Sequence, residues 1–354
     1  MEILRFLLYP FAAVYGIVTV IRNFLFNCGI LRGINHELPV IVVGNLSTGG
    51  TGKTPHIEYL IRLLSGEFRV NTLSRGYGRR TRGYIRAGAG VDCTVIGDEP
   101  MQYFRKFSGI GVSVDSNRNR GIREICIQDP ETGVILLDDA FQHRYVKAGL
   151  SILLTDYHKP YFRDHLLPVG SLRELAMGAR RADIIIVTKT PRVLSPIVKR
   201  QMLSDIRPGA GQSVYFSFIN YGEITSLWDG RKIPPGKKYS AILLFAGIAN
   251  TYPIEEYLYP LCHDLTIVKF ADHHPYSEND LDRIKRNFDD LYGPNKLLVT
   301  TEKDAMRLLQ SKLSAIAQKL PVYYLPMEVE FHGEDKQAFD EQILNYVRTN
   351  QREC

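Results

Sequence analysis

The run Ser47-Thr48-Gly49-Gly50-Thr51-Gly52-Lys53-Thr54 follows directly on the apolar stretch Pro39-Val40-Ile41-Val42-Val43, and it constrains the chain more than any other feature. A short apolar run, a glycine-rich turn and then Lys-Thr predict a strand, a phosphate-binding loop and a helix in that order. The glycines let successive backbone N–H groups turn inward onto phosphate oxygens, and a helix N-terminus favours the anion. The spacing gives each residue a role. Ser47, Thr48, Gly49, Gly50, Thr51 and Gly52 surround the phosphates, Lys53 reaches the β- and γ-phosphates, and the Thr54 hydroxyl holds Mg²⁺. Ile57, Leu60, Ile61 and Leu64 recur at helical spacing, so the helix is expected straight after the loop. Pro55 falls in its first turn, where a missing N–H costs least. One departure is visible: Ser47 stands where the usual pattern places its first glycine.

Beyond the loop, strands and helices alternate in the rhythm of a parallel sheet. The expected strands are Val40–Val43, Arg69–Leu73, Gly111–Val114, Val134–Leu137, Leu150–Leu154 and Ile184–Thr188. Their nearly continuous apolar character suits strands covered on both faces. From Tyr215 to Lys238 the pattern changes to β-prone residues mixed with Gly, Pro and Lys. A second α/β unit then starts at Ala241–Phe245 and continues through Leu265–Phe270 and Lys296–Thr300. The expected fold class is α/β: a P-loop NTPase-type, mostly parallel sheet with helices on both faces, a smaller C-terminal α/β domain, and an N-terminal membrane-associated helix. The corresponding segments are 1–30 for the helix, 31–215 for the nucleotide-binding core, 216–240 for a linker or β-ribbon and 241–354 for the smaller domain.

A chain of 354 residues has room for two cores. A net charge of +6 is modest, and the basic residues gather in loops near the phosphate loop, so no nucleic-acid partner is expected. Cys28, Cys93, Cys126, Cys262 and Cys354 form no Cys-x-x-Cys pair, which argues against a disulfide framework or zinc site and fits a reducing cytoplasm. The N-terminus is less ordinary. Phe6 to Ile21 carries no charge, is apolar on all sides and is bracketed by Arg5 and Arg22. It falls short of the roughly 20 residues that span a bilayer, and Pro10 and Gly16 interrupt it. A helix lying in one leaflet is expected, with Tyr9, Tyr15 and the arginines at headgroup level. The other reading is a buried core helix of a soluble domain. A signal peptide is not expected, for want of a small-residue cleavage site.

Several clusters carry chemistry. Val134-Ile135-Leu136-Leu137-Asp138-Asp139 is an apolar strand ending in two carboxylates, the form of a second nucleotide-binding element that orders Mg²⁺. Gln142, His143 and Arg144 follow, either as nucleotide or substrate contacts or as a polar loop. Gly97-Asp98-Glu99-Pro100 precedes a helix, and Asp98 is either a helix cap or a general base for a hydroxyl acceptor. Ser74-Arg75-Gly76-Tyr77-Gly78-Arg79-Arg80 is a glycine-rich basic loop suited to phosphate, and Arg118 is a second candidate for phosphate contact. Leu167-Pro168-Val169-Gly170-Ser171-Leu172-Arg173-Glu174 is another loop with a paired charge. Phe270-Ala271-Asp272-His273-His274-Pro275 places adjacent histidines after a strand, one expected to face the cleft and the other to be structural. Thr301 to Asp304 has capping-box spacing and is expected to open the last long helix, with Lys303 a possible cleft residue. Thr188-Lys189-Thr190-Pro191 lacks the Asp that binds guanine, which disfavours GTP.

In this order, the motifs resemble those of the tetraacyldisaccharide 4′-kinase family. The resemblance covers nearly the whole chain: the apolar N-terminus, residues 43–55 including Asn45, then 74–79, 97–100, 137–143, 167–174 and 270–274. It implies transfer of the ATP γ-phosphate to the 4′-hydroxyl of a tetraacylated glucosamine disaccharide 1-phosphate, giving lipid IVA at the cytoplasmic face of the bacterial inner membrane. It implies Asp98 as base with His273 as its partner, Lys53 on phosphate, and Thr54, Asp138 and Asp139 around Mg²⁺. Asn45, Arg75, Tyr77, Glu99, Arg118, Gln142, Arg173 and Glu174 are then the substrate-binding candidates. The implied partners are the lipid and the membrane surface, without an obligate protein partner. Ala140 and Leu175 depart from the family's frequent Gly and Pro, and neither change removes a titrating or phosphate-binding group. Two other readings compete: an NTPase that loads metal or cofactor onto a partner, which would call for guanine specificity and a cysteine cluster, and a soluble kinase of a small polar metabolite.

Overall fold

Residues 40–45 settle the layering. In β1 (Val40–Asn45) every residue is buried, and alternate side chains point to opposite faces. Val40 and Val42 pack with Leu73, Ile122, Ile125 and Phe216. Ile41 and Val43 pack with Ile57, Leu60, Ile61, Leu64, Phe339 and Ile343 on the other side. Each fully buried side chain of this size contributes about 1.5–3 kcal/mol, so a strand of this composition needs helices on both faces.

The computed structural model of the protein describes residues 2–234, 236–272 and 274–351. It begins with α1 (Glu2–Asn27), followed after β1 by α2 (Lys53–Leu64), β2 (Val70–Ser74), β3 (Ile85–Arg86), α3 (Cys93–Ile96), α4 (Asp98–Lys106), β4 (Gly111–Val114) and α5 (Arg118–Gln128). Next come β5 (Val134–Asp138), β6 (Leu150–Asp156), β7 (Ile184–Thr188), α6 (Pro196–Ile206) and β8 (Ser213–Tyr221). The second unit holds β9 (Thr225–Ser226), β10 (Tyr239–Ala246), α7 (Tyr252–Leu258), β11 (Cys262–Lys269), α8 (Glu278–Asp289), β12 (Lys296–Thr301), α9 (Glu302–Leu308), α10 (Ser311–Ala317) and β13 (Val322–Leu325). Finally come β14 (Met327–Phe331) and α11 (Asp335–Thr349).

The larger sheet runs β14-β8-β7-β6-β1-β5-β2-β4-β3. Its strands are parallel from β8 to β4, with antiparallel β14 and β3 at the edges. The smaller sheet runs β11-β10-β12-β13-β9 and is parallel except for β9. All the strands expected from the apolar runs are present, and the α/β class holds. Because β1 lies between β5 and β6, the phosphate loop leaves the centre of the sheet at the carboxyl ends of its strands, where open α/β sheets build their sites.

The expected domain limits differ from this arrangement. Residues 241–354 do not stay together, because β14 pairs with β8, from Met327↔Tyr221 to Phe331↔Ser217, and α11 adds Phe339, Ile343 and Val347 to the core under α2. The physical reason is an exposed β8 edge and an apolar α2 face that both need cover. The segment 216–240, expected as a linker or β-ribbon, is shared between the sheets: β8 continues to Tyr221, β9 joins the small sheet, and Thr225 bridges Lys232 in antiparallel fashion. The chain therefore crosses between the sheets twice, side by side, where the Gly222 N–H donates to the Pro326 carbonyl at 2.9 Å. The turn at Thr301 opens the short α9, and the last long helix is α11.

α1 also departs from expectation. It runs unbroken through Pro10 and Gly16, and Leu7–Asn27 is long and apolar enough to cross a membrane. It is not a buried core helix: Leu7, Phe11, Val14, Ile17, Val18, Ile21 and Phe24 are all exposed. A Cβ on Gly16 would come within 2.8 Å of Leu166 Cδ1, so the glycine lets the helix lie close to that loop.

Candidate active site

The loop after β1 is shaped by Gly49 at φ 112° and Gly52 at φ 85°, conformations that residues with side chains rarely adopt. Asn45 is fully buried and donates from Nδ2 to the Ser47 carbonyl at 2.7 Å. Lys53, the first residue of α2, has its Nζ 3.3 Å from Asn45 Oδ1 and 3.7 Å from Asp139 Oδ1. Thr48 spends its N–H on the Ser171 carbonyl at 2.7 Å, and the Arg173 N–H donates to Leu46 O at 2.7 Å, so the 171–173 segment braces the loop. On the other side the Thr188 hydroxyl at the end of β7 donates to the Thr51 carbonyl at 2.9 Å. The Thr51 hydroxyl is buried with no partner.

β5 ends in the two carboxylates. Asp138 is 5% exposed; its Oδ2 accepts from the Tyr103 hydroxyl at 3.0 Å, and its Oδ1 is buried without a partner. Burial, with Glu99 adding like charge, pushes its pKa up to about 6. Asp139 takes φ 47°, and Arg173 Nη1 donates to its two oxygens at 2.9 and 3.1 Å. Burial works to raise the Asp139 pKa, but Lys53 and Arg173 outweigh it and hold the carboxyl below its ordinary range. Arg118 opens α5 and is 3% exposed. It donates from Nη1 to the Asp115 carbonyl at 2.5 Å and from Nη2 to the Asp138 carbonyl at 3.4 Å, while Nε has no partner. Burial pulls its pKa down to about 10 against the opposing charges of Asp138 and Asp139.

Arg75 and Tyr77 are exposed on the glycine-rich loop. A Cβ on Gly76 would meet Ile96 O at 2.7 Å, and one on Gly97 would meet Tyr77 O at 2.8 Å. These two glycines seat the basic loop against the start of α4. Gly97 is the N-cap of α4 and Asp98 its first residue. Asp98 Oδ2 accepts from Arg307 Nε at 2.9 Å and Nη2 at 2.8 Å, and Glu99 accepts from Lys303 at 2.7 Å. Both cations stand on α9, so the second unit touches the Gly-Asp-Glu-Pro turn directly. His273 lies outside the described residues. His274 stacks on Phe270 with ring centroids 4.8 Å apart and pairs with Asp280 at 3.1 Å, a structural placement.

Gln142, Arg173 and Glu174 form one network. Gln142 Nε2 donates to the Asn45 carbonyl at 2.9 Å and to Glu174 Oε1 at 3.1 Å, and Arg181 grips both Glu174 oxygens at 2.9 Å. α1 is stitched into it: the Tyr15 hydroxyl donates to Arg173 O at 2.7 Å, Asn23 Nδ2 to Glu174 Oε2 at 2.9 Å, and Arg22 Nη2 to Gln142 O at 3.0 Å. Leu175, at φ −59°, keeps a backbone angle that proline would also take. Sequence reasoning missed Tyr103, Arg181, Arg307 and Asn23, gave Thr188 no part in bracing the loop, and expected Tyr15 and Arg22 at headgroup level, whereas both turn onto the loops of the site. The missed residues carry no motif, and only their position in space marks them.

A braced phosphate loop at the centre of a parallel sheet, with strand-end carboxylates beside it, places the chain among the P-loop nucleotide-dependent phosphotransferases. Comparison with known proteins narrows this. The family described as Tetraacyldisaccharide-1-P 4′-kinase matches residues 4–348, and the chain belongs to it. It is an enzyme of the ATP-dependent kinase class. The chain is 44% identical over 351 residues to the tetraacyldisaccharide 4′-kinase of Flavobacterium johnsoniae, covering 99% of each. It is 44% identical over 356 residues to that of Bacteroides thetaiotaomicron, covering 98% of this chain and 94% of the relative. A solved structure described as the "apo" form of LpxK from Aquifex aeolicus in complex with ATP superposes with a TM-score of 0.73 at 26% identity, covering 97% of this chain and 99% of that one.

Proposed function

We propose that the protein transfers the γ-phosphate of ATP to the 4′-hydroxyl of tetraacyldisaccharide 1-phosphate, forming lipid IVA at the cytoplasmic face of the inner membrane. The observation that carries the nucleotide half of this reading is Asp138, a buried strand-end carboxylate with one unpartnered oxygen beside the phosphate loop. Family membership supplies the acceptor.

The residues present fit a divalent cation. An orphaned, buried carboxylate oxygen costs stability unless something completes it, and Asp138, Asp139 and Thr54 are the oxygen donors a magnesium ion prefers. Bound there, Mg²⁺ would offset charge on the β- and γ-phosphate oxygens. Lys53 does the same from the first turn of α2, with Asn45 and Asp139 aiming its ammonium group. Ser47 to Gly52 enclose the phosphates, apart from the Thr48 N–H, which braces the loop. Asp98 takes the proton from the 4′-hydroxyl as the bond from that oxygen to the γ-phosphorus forms and the bond to ADP breaks. His273 supports Asp98 as the resemblance implies. Glu99, Arg75, Tyr77, Arg118, Gln142, Arg173 and Glu174 surround the acceptor. The exposed apolar face of α1 docks on the membrane, because each buried CH₂ of the lipid is worth about 0.8 kcal/mol and the substrate leaves a bilayer only at high cost.

The deciding experiment follows transfer from labelled ATP to tetraacyldisaccharide 1-phosphate in detergent micelles with Mg²⁺, comparing wild type with Asp98→Ala. Transfer that collapses in the variant is the expected outcome. Nucleotide hydrolysis by folded wild type without transfer to lipid would sink the reading.

A further inference from the structure

We propose that Arg307 is a positioning residue of the phosphoryl transfer, reaching the base from the second unit and holding it ionised and oriented. The inference rests on the reading of Asp98 as the base. Arg307 is 3% exposed, and a buried guanidinium is tolerated only when its donors are satisfied. It spends Nε and Nη2 on Asp98 Oδ2, at 2.9 and 2.8 Å, and Nη1 on Asp304 Oδ1 at 2.7 Å. Asp304 is fully buried, and its Oδ2 accepts from the Thr301 hydroxyl at 2.7 Å and from the Gly247 N–H at 2.9 Å. The small domain therefore fixes Arg307 through Asp304, independently of its contact with Asp98.

The geometry at Asp98 is specific. Both donors converge on Oδ2, so the pair sets the rotation of the carboxylate while directing the cation at one oxygen. A guanidinium in contact with a carboxylate disfavours its protonation. The contact therefore favours the charged form of Asp98, the form that can accept a proton. One turn earlier on α9, Lys303 takes Glu99 at 2.7 Å. The adjacent carboxylates of α4 are each met from the same helix of the opposite unit, so the base is correctly placed only while the two units are seated together. Among the described residues, the Cys93 thiol from α3, the Tyr276 phenol from the segment before α8, and Asp304 on α9 itself also face this pair.

The test is the pH profile of kcat/KM for lipid in wild type, Arg307→Gln and Arg307→Lys, with Asp98→Asn alongside. Loss of the cation in Arg307→Gln should move the acid limb up by about one pH unit, with KM for ATP changed less than about twofold. Arg307→Lys keeps the charge but cannot place two donors on Oδ2. It should retain most of the limb position and lose about tenfold in plateau kcat. An unmoved limb in a folded Arg307→Gln would overturn the proposal and leave Arg307 a structural residue. If that variant does not fold, the lysine variant decides: unchanged plateau kcat overturns the proposal. Full activity in Asp98→Asn would instead overturn the base reading, and the proposal with it.

Discussion

Lys53 shows how one side chain is prepared before substrate arrives. Its ammonium group lies between Asn45 and Asp139, and Arg173 holds Asp139 from the other side. Lys53→Ala should therefore lower kcat by about 10²–10³-fold, read by labelled phosphate transfer, with little change in melting temperature because Arg173 still satisfies Asp139. Gly44 is the opposite kind of residue. A Cβ there would stand 2.6 Å from Phe141 Cβ and 2.9 Å from Phe141 N, so Gly44→Ala should destabilise the protein by about 1–3 kcal/mol in urea unfolding. Both residues lie in one legible motif, yet only Lys53 shows its role by its chemistry. The need for glycine at 44 comes from Phe141, far along the chain. The same holds for Asp98, which the sequence left as either a cap or a base and whose partner Arg307 lies far along the chain.

Among the elements, α1 carries two roles on one helix. Its exposed side is apolar, and Tyr15, Arg22 and Asn23 tie the other side to the loops holding Gln142, Arg173 and Glu174. Replacing Phe11, Ile17 and Val18 with serine should cut partitioning into anionic vesicles by at least about tenfold, since each buried side chain of this kind contributes about 1.5–3 kcal/mol. Turnover in detergent should persist. Tyr15→Phe should do the reverse: vesicle binding stays, and turnover falls by the worth of one hydrogen bond, about 1 kcal/mol. Equal losses in both assays from either variant would show that the two faces are not separable. The parallel strands were legible because burial on both faces leaves an unbroken apolar run. The continuity of α1 through Pro10 was not, because a local proline rule misses what the loops contribute to holding a helix. β14 and α11 were hidden for a related reason. What fixes them is the open edge of β8 and the bare face of α2, both remote in sequence.

At the scale of the whole molecule, the two units share a buried charge cluster. Lys106 on α4 sits between Glu58 of α2 at 2.7 Å and Glu302 of α9 at 2.8 Å, with Gln102 also donating to Glu58 at 2.7 Å. Arg62 adds only a longer contact to Glu58, at 3.9 Å. Burial first, and Glu58 second, push the Glu302 pKa up to about 7. A carboxyl raised in the folded state contributes its stability below its unfolded pKa and loses it as pH rises through the folded value. The window is therefore from about pH 4.5 to about pH 7, with no more than about 3 kcal/mol at stake. Glu302→Gln should gain in melting temperature relative to wild type as pH goes from 5 to 8. A constant difference would show that Glu302 does not titrate there. No pattern in the sequence joins Glu58, Lys106 and Glu302, since each comes from a different helix and only the packing of the units brings them together.

The return of the chain to the larger sheet has a consequence in time. β14 and α11 leave the ribosome after the smaller unit, yet Phe339, Ile343 and Val347 complete the core under the helix that begins with Lys53. Domains generally fold as units once their chain is available. Here the larger unit waits for β14 and α11 to close its sheet and core. The smaller unit between β8 and β14 is complete in sequence before its host, so the larger unit closes only after the smaller one has been made.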